Sequence, residues 1–225
     1  MKIRILATGS KANCYAIVNG SETILLDSGL GIKTTIAKLG FKLPDAILIT
    51  HEHGDHANSA KAFLERGVDV YMTARTAAAL ELSRHNLHII RVGEKFTVGK
   101  FKVTVIGSKH DAAEPANFII EDDIDRLLYV TDTGEVPKVD GRFTKMLLEA
   151  NHFTENIRNS PNIDAAQKRR IMQNHLSFEK AVDFLQTHQA DEVYLIHISS
   201  RHGDGESMVE LATMMTDVKK IYAAK

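Results

Sequence analysis

The stretch 47-ILITHEHGDHANSA-60 decides how this chain is read. Residues 45–50, DAILIT, are apolar with almost no alternation, which predicts a strand buried on both faces. Three histidines, a glutamate and an aspartate follow within the next six residues. α/β proteins carry their sites just past the carboxyl ends of strands, where a rigid element holds a loop in place. His51 and His53 lie two apart, so an extended backbone points both to one side, where they can share an ion. Asp55 and His56 fall where the chain turns towards a helix and can face a second ion, with Gly54 permitting the tight turn between the pairs. Imidazole and carboxylate together suit Zn²⁺, Mn²⁺ or Fe²⁺.

Upstream of that stretch, KIRILAT reads as a first strand. Residues 13–18 and 23–27 read as the arms of a hairpin around Asn19-Gly20, and SGLGIKTTIAKLG as a turn and a short helix closed by Gly40. Downstream, the pattern predicts a helix over residues 57–66, a strand in VDVYMT and a helix in ARTAAALELSRHN. HIIRV, KFTV, FKVTVIGS, ANFIIED and RLLYVTD are short strands divided by turns, and KMLLEA is another. Residues 151–174 are polar and irregular, with short helices expected. LSFEKAVDFLQTHQA is an amphipathic helix opened by Ser177, DEVYLIHIS a buried strand, and residues 205–217 a last helix. Alternating β and α units at both ends of a strand-rich middle favour two sheets covered by helices, in one domain over residues 1–225.

Composition bounds the function. With 44% hydrophobic and 25% charged residues the chain is ordinary globular protein, and its net charge of −1 demands no polyanionic partner. The single cysteine, Cys14, makes an intramolecular disulfide impossible and fits a reducing, cytoplasmic setting. The start, MKIRILATGS, reads as a strand rather than a signal peptide. No apolar run approaches the length of a membrane span, so no membrane association is expected.

Four residues in one loop do not complete two metal sites, because each ion takes four or more ligands. His110 after FKVTVIGSK, Asp132 after RLLYVT and His197 within VYLIHIS stand at further strand ends. THEHGDH followed by His110, Asp132 and His197 in that order resembles the metallo-β-lactamase superfamily of metallohydrolases, and LLDSG at 25–29 resembles its early aspartate motif. The resemblance implies an αββα four-layer sandwich, two mixed β-sheets flanked by helices, carrying two divalent ions. It places His51, His53 and His110 on one ion, Asp55, His56 and His197 on the other, Asp132 between them, and Asp27 behind the ligands. A carboxylate in the bridging position is the pattern of phosphodiesterase and glyoxalase-type members.

ILATGSKANCY, HDAAEPANFII, LLEANHFTENIRNS and NHLSFEKA resemble one subgroup, the bacterial YycJ/WalJ-like proteins, described as double-strand DNA exonucleases. This implies hydrolysis of phosphodiester bonds by a hydroxide shared between the ions, with DNA as substrate. The catalytic set is then Asp55, Asp132, His152 and His175, the two histidines being candidates to protonate the departing oxygen. Glu149, at the end of KMLLEA, is a weaker candidate. Ser10, Asn13, Arg169 and Arg201 are candidates to bind substrate phosphates. Two other readings stand beside this one: a small-molecule phosphodiesterase or thioester hydrolase, and a metal-binding regulator without turnover.

Overall fold

The computed structural model describes residues 1–224. They form two compact units, Met1–Gly107 with Ala112–Ala116, and Ser108–Asp111 with Asn117–Ala224. Each is a mixed sheet flanked by helices.

In the first unit β1 (Lys2–Ala7), β2 (Cys14–Asn19) and β3 (Glu22–Leu26) form an antiparallel meander. The two-residue turn is Gly20-Ser21, one residue later than the sequence suggests, because Asn19 still pairs with Glu22 and Gly20 adopts φ +63°. Helix α1 (Ile32–Lys38) then carries the chain across to β4 (Ala46–Leu48), and β3 to β4 is the first parallel pair. All three residues of β4 are fully buried, as a strand covered on both faces must be. Helices α2 (Gly54–Ala57) and α3 (Ala60–Leu64) follow, then β5 (Asp69–Thr73), α4 (Ala74–Ala79) and β6 (Leu87–Ile90). The sheet order is β1-β2-β3-β4-β5-β6, and the hairpin of β7 (Lys95–Val98) and β8 (Phe101–Gly107) completes the unit. Ile36 and Leu39, from α1 and its C-cap, pack with Leu6, Leu25, Ile47, Phe63 and Met72 into one apolar core. Cys14 lies wholly inside it, and burial pushes its thiol pKa up, so it behaves as a small hydrophobe.

The expected helix over 57–66 is two pieces that start earlier. Ser59 breaks it: its backbone N–H donates to Ser28 O at 2.9 Å and its hydroxyl to Leu30 O at 2.7 Å, tying the helix junction to the loop after β3.

In the second unit, which takes all of β9 (Ala116–Glu121) but its first residue, β9 and β10 (Arg126–Val130) are an antiparallel hairpin. Then come β11 (Phe143–Glu149), α5 (Thr154–Asn159), α6 (Ala165–Asn174), α7 (Phe178–Thr187), β12 (Ala190–Ile196), α8 (Gly205–Met215) and β13 (Lys220–Ala223). Strands β10 to β13 are parallel, in the order β13-β12-β11-β10-β9. Ser177 caps α7 by accepting from the Lys180 N–H, and Phe178, Ala181, Val182, Phe184 and Leu185 form its buried stripe. By contrast α6 buries no residue. The sequence pattern missed β13, whose four residues alternate only between exposed and half-buried.

Parallel pairing fixes the rims. Leu26 lies beside Leu48 in the first unit, so Asp27 and residues 49–51 leave at one edge. In the second, Val130 lies beside Leu148 and Glu149 beside Ile196, so Asp132, Glu149 and His197 emerge together.

Candidate active site

In the first unit the HEHGDH loop is held by the carboxylate of Asp27. Its Oδ1 accepts the Thr50 N–H at 2.8 Å, and its Oδ2 lies 2.7 Å from His56 Nδ1, with both side chains fully buried. The Thr50 hydroxyl donates to Asp27 at 3.0 Å and stands 2.9 Å from His51 Nδ1. The carboxylate thus orients His56 directly and His51 through Thr50, and turns the Nε2 of each ring away from it, that of His56 lying 3.0 Å from the Asn13 amide. The His51 ring centroid is 4.6 Å from that of His53 and 4.3 Å from that of His56. Asp55 and His56 sit on the first turn of α2, with Asp55 Oδ2 at 3.4 Å from His56 Nε2.

Backbone contacts lock the loop. Asn13 N–H donates to Asp55 O at 2.7 Å, Ser28 N–H to His56 O at 2.7 Å, and Gly29 N–H to Asn13 O at 3.0 Å. A Cβ on Gly29 would stand 1.7 Å from Asp55 O, so only glycine lets the loop after β3 approach this closely. Asn13 is fully buried, and its amide is committed to Gly9, Asp55 and His56. Ser10 is exposed in the turn between β1 and β2.

Asp27 also adopts φ +59°, a left-handed conformation that asparagine and aspartate tolerate best. Asp27→Asn therefore keeps the backbone but removes the charge that fixes two imidazoles. We expect metal affinity to fall by about 10–100-fold, read by competition with a chelating dye. Unchanged affinity would mean that Asp27 does not support the ligands.

In the second unit Asp132 presents one oxygen to each of two histidines. Oδ1 lies 3.7 Å from His110 Nε2, and Oδ2 lies 3.7 Å from His197 Nε2. Both separations exceed a hydrogen bond, yet suit groups that approach a shared cation from two sides. Ligand atoms of Asp132, Glu149, His175 and His197 all lie within 4.8 Å of one another. The donor chemistry of imidazole and carboxylate fits a divalent ion in both units. Asp132 at φ +46° and His197 at φ +52° are left-handed, like Asp27. Three strained residues at strand ends are the kind of conformation that functional sites retain.

Glu149 organises this half. It is fully buried, and its Oε2 accepts the N–H groups of Thr133 and Leu176, each at 3.1 Å. Its Oε1 lies 2.8 Å from His175 Nδ1 and 3.2 Å from His197 Nδ1. Burial alone would raise its pKa, but the charge and hydrogen bonds of His175 and His197 hold it below the usual carboxylate range. Burial would likewise lower His175, and Glu149 overrides this and holds its pKa raised. Burial lowers the pKa of His110, whose Nδ1 donates to Asn174 O at 2.9 Å, leaving Nε2 for an ion. Asn151 holds His197 through its ring and its carbonyl, at 3.1 and 2.9 Å. His152 is buried, and its pKa is pushed down to about 4 by desolvation.

Of the basic run on α6, Lys168 donates to Arg158 O and Arg170 pairs with Asp111, while Arg169 stays exposed. Arg201 is exposed in the loop after His197. Glu149 was singled out only weakly by its place at a strand end. Thr50, Thr131 and Asn151 gave no sequence signal, because a short polar residue acquires its role only from what the fold sets beside it. Thr131, for example, donates to Asp132 Oδ2 at 2.8 Å.

This fold, with its histidine and aspartate donors at strand ends, defines a hydrolase of the metallo-β-lactamase type. The model of the β-lactamase superfamily domain matches residues 22–198, and the chain belongs to that superfamily. It is 31% identical to the exodeoxyribonuclease WalJ of Streptococcus pneumoniae, over 95% of this chain and 86% of that protein. It is 30% identical to the exodeoxyribonuclease YycJ of Bacillus anthracis, over 93% and 85%. Among solved structures, the metallo-β-lactamase fold protein YhfI from Bacillus subtilis is similar, with a TM-score of 0.78 at 15% identity over 99% of this chain and 96% of that one. No helix among the described residues is long and apolar enough to cross a membrane.

Proposed function

We propose that this protein is a metal-dependent exodeoxyribonuclease that removes nucleotides from the ends of DNA. The relatives of that activity align over more than nine-tenths of the chain. The observation that carries the chemistry is Glu149, one buried carboxylate aligning both a ligand candidate, His197, and an acid candidate, His175. We assign His51, His53 and His110 to one divalent ion, Asp55, His56 and His197 to a second, and Asp132 to both. Zn²⁺ and Mn²⁺ suit these donors, and Fe²⁺ does also. When bound, the ions would supply Lewis acidity towards a phosphoryl oxygen and lower the pKa of water.

The chain's own groups do the rest. Asp27 and Glu149 keep the ligand rings in one tautomer. His175, its pKa raised by Glu149, holds a proton for the departing oxygen. His152 is neutral at physiological pH and its Nδ1 lies 3.2 Å from Asn151 Oδ1, so it supports Asn151 rather than donating to a leaving group. Arg169, exposed on the helix that leads to His175, offers a contact to backbone phosphate.

The test is a panel of end-labelled duplex DNA, single-stranded DNA and RNA, with Mn²⁺ or Zn²⁺. We expect mononucleotides from DNA ends, abolished by chelator. Hydrolysis of bis(p-nitrophenyl) phosphate without release from any DNA end would favour a small-molecule phosphodiesterase. No metal-dependent hydrolysis of any substrate would favour the regulator.

A further inference from the structure

A cavity of about 820 Å³ in the second unit is lined by Asn156, Asn159, Ser160, Asn162, Arg201 and His202. Pro161 and Ile163 complete the lining, and no carboxylate contributes to it. One wall is the end of α5 and the loop that follows; the other is the loop after His197. The walls are joined. Phe153 N–H donates to His202 O at 3.1 Å, the Asn156 amide donates to the same carbonyl at 3.2 Å, and His202 Nε2 lies 3.2 Å from Ser160 Oγ.

The cavity is also tied to the strand end that carries His197. Ser199 N–H donates to Asn151 O at 2.8 Å, and Asn151 in turn holds His197. A Cβ on Gly203 would lie 2.9 Å from Asn151 O, so the return of this loop depends on glycine.

The lining combines a guanidinium, an imidazole, side-chain amides and a hydroxyl with two apolar side chains. Such a set binds a phosphate and leaves room for a flat apolar group. The guanidinium of Arg201 makes no hydrogen bond or ion pair within the described residues, so its planar fork is available to two phosphate oxygens. Pro161 and Ile163 offer the face against which a base would rest, and the volume lies within the range of small-molecule sites.

We propose that this cavity binds a nucleoside monophosphate, the phosphomonoester on Arg201 and His202 and the base against Pro161 and Ile163. Its role as the seat of a DNA strand's terminal nucleotide rests on the exonuclease reading above; its ligand chemistry does not.

The experiment titrates a deoxynucleoside monophosphate, the matching deoxynucleoside and inorganic phosphate into the Zn²⁺-loaded full chain. The backbone amide NMR signals of Asn159, Ser160, Asn162, Ile163 and His202 report on this cavity. The monophosphate should shift them with higher affinity than either fragment. Arg201→Ala should weaken binding by at least about 10-fold, and Arg201→Lys, which keeps a charge without the fork, by less. Unchanged affinity in folded Arg201→Ala, or shifts as strong with the deoxynucleoside, would overturn the proposal. Equal affinity for inorganic phosphate would overturn its nucleotide part. None of these readouts needs turnover. A chain inactive on every DNA would refute the nuclease reading alone, and an active chain whose Arg201→Ala variant binds normally would refute the cavity alone.

Discussion

Asp132→Ala should abolish metal loading and turnover together. Both oxygens of this carboxylate face imidazoles, Oδ1 towards His110 Nε2 and His175 Nδ1 and Oδ2 towards His197 Nε2. Alanine removes the one carboxylate that faces the Nε2 atoms of both His110 and His197, and leaves Glu149 at His197 Nδ1 and Asp111 at His110 as separate anions. The transition-state stabilisation that ions give a phosphoryl group is worth several kcal/mol, so kcat/KM should fall by at least about 10³-fold. Residue 132 is left-handed at φ +46°, where alanine is strained, so the loss of fold has to be separated from the loss of ligand. Asp132→Asn serves that purpose, because asparagine tolerates this conformation and keeps the shape while removing the charge. Metal content by emission spectroscopy and rate on DNA should drop in both variants while circular dichroism of Asp132→Asn matches the parent. A folded variant that keeps full turnover would end the bridging assignment.

What the sequence made legible follows from how local the cause is. The strand before His51 is readable because a strand buried on both faces needs an unbroken apolar run, and Ala46, Ile47 and Leu48 supply it. The start of α7 is readable because Ser177 and the periodic stripe behind it act within one helix. Donors at strand ends are readable as candidates only together, since one histidine or aspartate after an apolar run is ordinary turn or cap chemistry, whereas a dense set in one loop with more at other strand ends is not. The break in the helix at Ser59 is not local. It comes from hydrogen bonds to Ser28 and Leu30, about thirty residues earlier. The role of Glu149 is less local still. In sequence it is a charged residue closing a strand, but parallel pairing sets it beside Ile196, and a loop from residue 175 returns above it. The left-handed backbones at Asp27, Asp132 and His197 show the same limit. Each breaks a local preference, and surrounding contacts hold each in place.

Those contacts bear on the second large effect. In His175→Ala, kcat on DNA should fall by about 10²–10⁴-fold, the usual contribution of a placed acid, while metal content stays at the parent level. Glu149 lies 2.8 Å from His175 Nδ1 and holds its pKa raised, which favours the protonated ring that the proposed acid role requires. A deoxyribose oxygen departs as a strongly basic alkoxide and needs that proton. A p-nitrophenolate anion is stable without one. Hydrolysis of bis(p-nitrophenyl) phosphate should therefore be nearly unaffected by the substitution that cripples DNA cleavage. The contrast distinguishes an acid from a support, because damage to the site as a whole would slow both substrates alike. It also distinguishes an acid from a ligand: His175 stands within 4.8 Å of Asp132, Glu149 and His197, and a ligand would take metal with it when removed. Glu149→Gln should reproduce the leaving-group dependence in part, since the amide keeps the position but not the charge that raises the histidine. If His175→Ala loses metal, or slows both substrates equally, the proton for the departing oxygen comes from elsewhere.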